Sequence, residues 1–299
     1  MNVNVRKITV FVLITFAISW AIVFTAVILG VSWNTPMATA VGVVYMFVPL
    51  VSAYIVQKGF YKEPARVAFG INFRLNRWWL FAWLLPLGFA GGTFLVSLLF
   101  PGIEFSPHMA GFFERLRQFV PADKVAEMRK MVSSPLLVLI ITVFQGLIAG
   151  ATINAVAGFG EEVGWRGLLM RELAPLGFFK SSLVIGFLWG IWHVPLVIQG
   201  HNYPQHPQFG AVMMVGWCIL LAPIFNFVRL KSGSVIAASI LHGTLNATYG
   251  IPIMFIRGGN DLLIGITGLA GFIVLAVVNL LIFIFGNPEK LMSDFASGS

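Results

Sequence analysis

A run of 24 residues without a charged side chain follows the first basic pair of the chain: ITVFVLITFAISWAIVFTAVILGV, residues 8–31. At about 1.5 Å per helical residue, this run is long enough to cross the hydrocarbon core of a bilayer, which is about 30 Å thick. It is too long for the apolar core of a secretory signal peptide, and it lacks an A-x-A cleavage pattern. The segment therefore predicts a retained membrane-spanning helix.

Further apolar segments bring the predicted number of transmembrane helices to about eight, near residues 8–31, 36–57, 78–100, 135–160, 181–199, 208–228, 233–256 and 262–286. Continuous apolar runs without alternation favour helices, because every backbone N–H and C=O must be paired in lipid. The predicted fold class is an all-α polytopic membrane protein that forms one bundle. We expect a single integral-membrane domain, 1–299, with a core at 135–256.

The composition excludes a soluble globular protein. Hydrophobic residues make up 58% of the 299 residues, charged residues make up 10%, and the mean hydropathy is +0.90. Average soluble chains are about 45–50% apolar and about 25% charged. The net charge of +8 is interpreted as loop charge that sets orientation rather than as a nucleic-acid site. Placing the N-terminus inside collects 13 Lys and Arg on the cytoplasmic side against 6 opposite, so both termini are predicted to be cytoplasmic.

The long loop at 101–134 carries an apolar helical face. Its members are Phe112, Phe113, Leu116, Phe119 and Val120. The pattern predicts an amphipathic helix that lies at the membrane interface or packs on the bundle.

Charged side chains inside apolar segments are costly to bury, so they mark a functional site or a structural pair. Nine of the eleven acids lie in loops, tails or segment ends, which leaves the adjacent Glu161 and Glu162. Arg166 follows Glu162 at i+4, a spacing that places both on one helical face, with Glu161 turned about 100° away. We therefore expect Glu162 and Arg166 to bind each other and Glu161 to stay free.

Two of the five histidines, His193 and His242, also fall within apolar segments. Trp189 precedes His193 by one helical turn, and Asn246 follows His242 by one turn, so each pair shares a face. Measured along the helices from the nearest cytoplasmic basic residue, Glu161, His193 and His242 lie at a similar depth, about 15–20 Å. This common depth predicts one intramembrane site.

Two chemistries fit a carboxylate, two imidazoles and an amide. In the first, a Glu takes a proton from water with a His, while a second His and an Asn donate hydrogen bonds to an oxyanion. In the second, one Glu and two His bind a catalytic Zn²⁺. The spacing lacks the compact H-E-x-x-H motif and does not separate the two. A cysteine or serine nucleophile is not indicated, because Cys218 has no nearby His in the sequence and no G-x-S-x-G is present.

Three motifs, in order on successive apolar segments, resemble the CPBP family, which comprises the type II CAAX prenyl proteases and the bacteriocin-processing enzymes and is also called the Abi family. They are E-E-x-x-x-R at Glu161, Glu162 and Arg166, W-x-x-x-H at Trp189 and His193, and H-x-x-x-N at His242 and Asn246. Each motif alone is weak, but the three together make a strong signal. Members often carry Phe where this chain has Trp189, a change that keeps an aromatic ring.

The resemblance implies an intramembrane endopeptidase with a catalytic cavity in its bundle. By resemblance, Glu161 and His193 activate water, His242 and Asn246 stabilise the oxyanion, and the supporting residues are Glu162, Arg166 and Trp189. The family is commonly described as metalloproteases. Because Asn is a natural oxyanion donor and a poor zinc ligand, we prefer a mechanism that requires no cofactor. The alternative is Zn²⁺ bound by Glu161, His193 and His242.

The expected partners are membrane lipid and a membrane-associated or prenylated peptide, with no nucleic acid. Cleavage would remove the C-terminal tripeptide of a prenylated CAAX protein or process a leader peptide, in a cavity that opens toward the cytoplasm or the lipid. Two alternatives stay open on the residues alone. One is a proton-coupled transporter that uses the same Glu and His groups as a relay. The other is a non-catalytic immunity or scaffold member of the family.

Overall fold

The computed structural model describes residues 2–33, 35–117 and 120–298, and these residues are mostly helical. One antiparallel ribbon pairs β1 (Glu104–Phe105) with β2 (Ile256–Arg257). The α-helices are α1 (Val5–Ile28), α2 (Pro36–Tyr54), α3 (Arg77–Ser97), α4 (Ala110–Leu116), α5 (Ala122–Met131), α6 (Pro135–Ala151), α7 (Ile153–Glu162), α8 (Met170–Leu173), α9 (Phe178–Ile198), α10 (Pro207–Ser232), α11 (Val235–Thr248), α12 (Leu269–Phe285) and α13 (Pro288–Gly298). The predicted fold class, an all-α polytopic membrane protein, is confirmed.

The number of candidate spans is smaller than the eight that the sequence predicts. Within the described residues, five helices are long and apolar enough to cross a membrane: α1, α2 with its π-helical extension Ile55–Phe60, α3, α9 and α10. If each of two bent pairs is counted as one span, α5 with α6 at 97° and α12 with α13 at 72°, the number rises to seven. The difference is the segment 233–256, where α11 has only 14 residues. Such a helix is about 21 Å long, too short to cross the membrane alone.

Glu161 and Glu162 lie at the end of a short α-helix that follows a break in the helical backbone and leads into a π-helix. α6 ends at Ala151, Thr152 has a non-helical backbone (φ −119°, ψ −100°), and α7 begins at Ile153. A π-helix, Val163–Leu169, then joins α7 to α8. Short π-helical segments occur often at functional sites. The helix that carries the acidic pair is therefore broken at Thr152 and continues to Leu173.

Glycines let α11 lie directly against α6 and α7. A Cβ added at Gly243 would overlap the carbonyl oxygen of Gly150, and a Cβ added at Gly158 would lie 3.0 Å from the Cβ of His242. Small residues at helix interfaces in membranes allow the backbones to approach this closely. The close crossing places His242 beside the acidic pair.

At one end of the bundle, polar contacts join the helix ends, and we call this end the cationic face. Lys7 is buried there and binds Glu63 at 2.7 Å and Glu172 at 2.9 Å. Glu289 of α13 accepts a hydrogen bond of 2.8 Å from the backbone N–H of Phe178, which opens α9. These contacts join α1, the chain after α2, α8, α9 and α13.

The other end, which we call the opposite face, is built from residues 29–33, 98–117, 120–134, 199–206 and 249–268. The predicted amphipathic helix forms there as α4 and packs on the bundle: Phe113 belongs to a buried cluster with Met109, Val125 and Met254, against which Phe112, Leu116 and Val120 also pack. Phe119, a member of the predicted apolar face, lies outside the described residues.

Candidate active site

Glu162 is sealed in a fully buried ion pair. The Arg166 Nη1 atom donates to Glu162 Oε1 over 3.2 Å, and neither side chain is exposed. The Arg166 guanidinium carbon lies 4.4 Å from the ring centre of Trp189 and 4.6 Å from that of Phe225, which is cation–π geometry. The i+4 pair predicted from the sequence is therefore present, and two aromatic faces enclose its cation.

His242 is oriented by the same carboxylate. Its Nδ1 lies 2.8 Å from Glu162 Oε1, and because that carboxylate also pairs with Arg166, it accepts and Nδ1 donates. The other ring nitrogen, Nε2, lies 3.9 Å from Glu161 Oε1. The imidazole thus stands between the two adjacent carboxylates. The sequence had linked His242 only to Asn246, so this role of Glu162 was missed.

Glu161 has few partners of its own. Its Oε2 accepts a hydrogen bond of 2.7 Å from the Trp189 indole N–H, so the expectation that Glu161 stays entirely free is wrong. The reason is tertiary, because α9 brings Trp189 alongside α7. Within the described residues, Glu161 Oε1 receives no hydrogen bond. The side chain is only 2% exposed, and it lines a cavity of about 350 Å³.

The cavity brings together most of the predicted site residues. It is lined by Glu161, Trp189, His193, His242 and Asn246, together with apolar and aromatic neighbours. Glu162 and Arg166 are not among the lining residues and stand in the wall behind it. The residues predicted to be catalytic therefore line the cavity, whereas Glu162 and Arg166, two of the predicted supporting residues, lie behind its wall. Trp189 is the exception, because it was predicted as a supporting residue and it lines the cavity.

His193 and Asn246 contribute to the cavity from two different helices. His193 Nδ1 lies 2.8 Å from the carbonyl oxygen of Trp189, so Nδ1 donates and Nε2 is left as an acceptor. Among the described contacts, no hydrogen bond joins His193 to Glu161. Asn246 is exposed on α11, one turn beyond His242, and no described residue binds its amide.

Tyr45 is a lining residue that sequence analysis missed. Its ring lies 4.3 Å from that of Trp192, and its hydroxyl donates to the Trp192 carbonyl oxygen, next to His193 in the chain. The only signal in the sequence is a tyrosine within the apolar segment 36–57. Since a single tyrosine of this kind is ordinary in a membrane helix, no motif could have identified it.

The Zn²⁺ alternative requires Glu161, His193 and His242 to be grouped as ligands. Over the part of the chain that the structure describes, no three His, Cys, Asp or Glu side chains are grouped as a metal site requires. The bonds of His242 Nδ1 to Glu162, of His193 Nδ1 to the Trp189 carbonyl and of the Trp189 N–H to Glu161 Oε2 leave Nε2 of each imidazole and Glu161 Oε1 facing the cavity without a hydrogen bond from a described residue.

Comparison with known families gives a match over the part of the chain that holds this cavity. Residues 133–248 match the family model described as type II CAAX prenyl endopeptidase Rce1-like. The chain carries an Rce1-like segment. This segment runs from α6 to α11 and contains every motif residue from Glu161 to Asn246. The family resemblance predicted from the three motifs is therefore confirmed over the Rce1-like segment.

A curated relative of the Rce1-like segment is a CAAX prenyl protease 2 of Methanococcus maripaludis. The two chains are 32% identical over 93 residues, which cover 29% of this chain and 34% of the relative. The match therefore spans about a third of the length of that relative. Similarity of this extent concerns the segment around the cavity and not the whole chain.

Proposed function

We propose that the protein is an intramembrane endopeptidase with Glu161 as its general base. The observation that carries the proposal is the contrast between two adjacent buried carboxylates. Glu162 is neutralised by Arg166 and His242, whereas Glu161 lines a cavity and, among the described residues, accepts a hydrogen bond from the Trp189 N–H alone. A carboxylate that is buried, oriented and still able to accept a proton is suited to general-base catalysis.

Water activation is assigned to Glu161 together with His193. Glu161 Oε1 has no hydrogen bond from a described residue, and His193 Nε2 is an acceptor because Nδ1 donates to the Trp189 carbonyl. A water between them donates one hydrogen to each. Glu161 takes the proton as the water oxygen attacks the peptide carbonyl carbon, and it later returns that proton to the departing amine.

Oxyanion stabilisation is assigned to His242 and Asn246. The bond from His242 Nδ1 to Glu162 fixes the imidazole plane, and an imidazolium in this position donates from Nε2. The Asn246 amide, one turn along the same face of α11, supplies a second donor. Donors that are already oriented toward a developing charge stabilise the transition state without reorganisation.

The proposed substrate is a membrane-associated peptide. The Rce1-like segment and the name of its curated relative support peptide-bond cleavage, with removal of the C-terminal tripeptide of a prenylated CAAX peptide or of a leader peptide as the two candidate reactions. Membrane lipid is the expected surrounding partner. We propose that the reaction requires no metal, which activity after exhaustive chelation, with metal analysis of the same sample, tests directly.

The orientation belongs to the same proposal. When the eight apolar segments predicted from the sequence alternate in direction, 13 of the 19 Lys and Arg lie on the side of the N-terminus, so the positive-inside rule assigns both termini to the cytoplasm. The cationic face defined by Lys7, Glu63 and Glu172 then lies at the cytoplasmic surface.

The test uses the purified full-length protein in detergent with a panel of peptides, one prenylated CAAX peptide and several unmodified leader-type peptides, with each cut located by mass spectrometry. We expect cleavage of at least one peptide by the wild-type protein. Glu161→Gln should reduce turnover by about a thousandfold or more, because it removes the general base. The matched control is Glu127→Gln, which changes an exposed acid on α5 that pairs with Lys124, and it should keep full activity. Equal turnover by Glu161→Gln and the wild type would reject the assignment.

A further inference from the structure

A second cavity adjoins the catalytic one. It has a volume of about 430 Å³ and lies at the opposite face, within the size range of small-molecule and peptide sites. The two cavities share three lining residues, His201, Asn202 and Tyr249. We call this second cavity the vestibule, because a peptide that reaches Glu161 from the opposite face passes through it.

The vestibule offers an apolar surface to a ligand. Its apolar lining consists of Trp33, Phe112, Leu116, Ile253 and Ile264. The two charged side chains that line it already have partners. The guanidinium of Arg115 donates to the carbonyl oxygens of Ile253 and Ile256, and Asp261 accepts from the Gln205 backbone and contacts His206. No charge in the described lining is therefore left for a charged ligand, and the vestibule favours an apolar segment.

The walls of the vestibule are fixed by hydrogen bonds between loops. Trp33 Nε1 donates to Gln199 Oε1 over 3.1 Å, and the Tyr203 hydroxyl donates to the Thr267 carbonyl over 2.7 Å. Burial raises the pKa of the Tyr203 hydroxyl well above its ordinary value, so it remains a donor at any pH at which the protein would work. A lining fixed in this way is pre-organised for a ligand.

The vestibule opens away from the cationic face. Its lining comes from the chain after α1, from α4, from the loop between α9 and α10, and from the loop between α11 and α12. The contacts of Lys7 and Glu289 lie at the other end. With 13 of the 19 basic residues on the side of the cationic face, the positive-inside rule places the vestibule on the extracytoplasmic side.

We infer that the substrate is an exported peptide that enters from the extracytoplasmic side with an apolar segment seated in the vestibule. The inference rests on the proposed function and narrows it, because a cytosolic prenylated peptide would meet the cationic face and not the vestibule. It also replaces the expectation of a cavity that opens toward the cytoplasm or the lipid. The scissile bond then lies at Glu161, and the apolar segment lies beyond His201 and Tyr249.

The sidedness of cleavage tests the inference. The probe is a quenched fluorescent peptide with a Leu- and Phe-containing centre and a membrane-impermeant sulfonated dye, added to intact spheroplasts or to inverted membrane vesicles that contain the full-length protein. We expect cleavage by spheroplasts, and cleavage by inverted vesicles only after detergent opens them. Cleavage by sealed inverted vesicles alone would overturn the inference and leave the proposed function standing. A peptide that is not cut even in detergent, together with an inactive peptide panel, would overturn the proposed function itself.

Orientation is measured separately and without any activity. Cys218 is fully buried, so the wild-type chain should stay unlabelled by an impermeant maleimide and serves as the control. Gln208 is exposed at the start of α10, on the opposite face, and Ser293 is exposed on α13, on the cationic face. In intact cells we expect labelling of Gln208→Cys and protection of Ser293→Cys. The reverse pattern would overturn the inference.

The vestibule is tested by a pair of phenylalanine substitutions. Phe112→Ala removes a ring from the lining and should raise KM about tenfold with kcat within about twofold, because apolar contact is lost away from the reacting bond. Phe105→Ala removes an exposed ring of β1 outside the vestibule and should leave both constants unchanged. An unchanged KM for Phe112→Ala would show that the apolar segment does not bind there.

Discussion

Glu161 and Glu162 are neighbours in the chain and equally buried, yet their surroundings differ in kind. Glu162 faces a closed region in which Arg166, two aromatic rings and His242 fill the space around it. Glu161 faces a cavity and, within the part of the chain that the structure describes, receives one hydrogen bond, from Trp189. A buried charge with close partners contributes to structure, whereas one with an open approach is free to exchange a proton. We therefore expect substitutions on the closed side to lower stability and those on the cavity side to lower turnover.

The largest effect on stability should come from Glu162→Gln. The substitution leaves the Arg166 guanidinium buried without its counter-charge, which costs about 3 kcal/mol of unfolding free energy. Glu161→Gln should change the unfolding free energy by less than about 1 kcal/mol, because a glutamine oxygen still accepts from the Trp189 N–H. Denaturant titration of both variants in detergent measures the difference.

A double variant separates charge from packing at this position. Glu162→Gln combined with Arg166→Met removes both charges of the pair and should recover at least half of the lost stability. If Glu162→Gln unfolds at the same denaturant concentration as the wild type, the ion pair of Glu162 does not stabilise the fold, and the proposed difference between Glu162 and Glu161 is wrong.

A second, smaller loss of stability is expected from a change where α11 packs against α6 and α7. Gly243→Ala places a methyl group against the Gly150 carbonyl oxygen, so α11 must move away from α6 and α7. We expect a loss of about 2 kcal/mol of stability, together with a loss of turnover, because His242 moves with α11. Gly91→Ala on α3 is the matched control, since a Cβ there meets no atom within 4 Å. Equal unfolding midpoints for the two variants would contradict the close crossing.

The smallest expected effect tests the hydrogen bond from Trp189 to Glu161. Trp189→Phe keeps an aromatic ring beside Arg166 but removes the indole N–H that orients the Glu161 carboxylate. Turnover should fall about tenfold, the equivalent of one hydrogen bond to a charged group. Steady-state kinetics on the best-cut peptide measures the change. The control is Trp217→Phe, which removes another indole of the same cavity whose N–H donates to the Ile266 carbonyl and not to Glu161. A larger loss of turnover for Trp217→Phe than for Trp189→Phe would contradict the proposal that Trp189 orients the Glu161 carboxylate.

Sequence patterns were sufficient where the determining contact is local. Arg166 lies four residues after Glu162, so helical spacing alone predicts their ion pair, and the structure contains it. The apolar runs likewise predict the membrane helices, because each must pair its own backbone groups in lipid. The segment 233–256 was the exception, since its apolar length suggested a full span while α11 ends after 14 residues.

Contacts between distant helices were beyond the reach of spacing arguments. The bond from His242 to Glu162 joins residues 80 positions apart, and it depends on the glycine-mediated crossing of α11 over α7. The bond from Trp189 to Glu161 depends in the same way on how α9 packs beside α7. The direction in which the cavity opens follows from loops that hydrogen-bond across the opposite face, and no local pattern encodes it.

The contact between Glu289 and the start of α9 links biosynthesis to the assembly of the site. The carboxylate that accepts from Phe178 N–H lies 111 residues further along the chain, so α9 leaves the ribosome well before its cap has been translated. Until α13 is made and docks, the first turn of the helix that carries Trp189 and His193 has no carboxylate to pair its free N–H groups. Capping of the first turn of α9 by Glu289 is therefore among the last steps of folding. The nascent chain has a fully assembled site only after most of the bundle has entered the membrane.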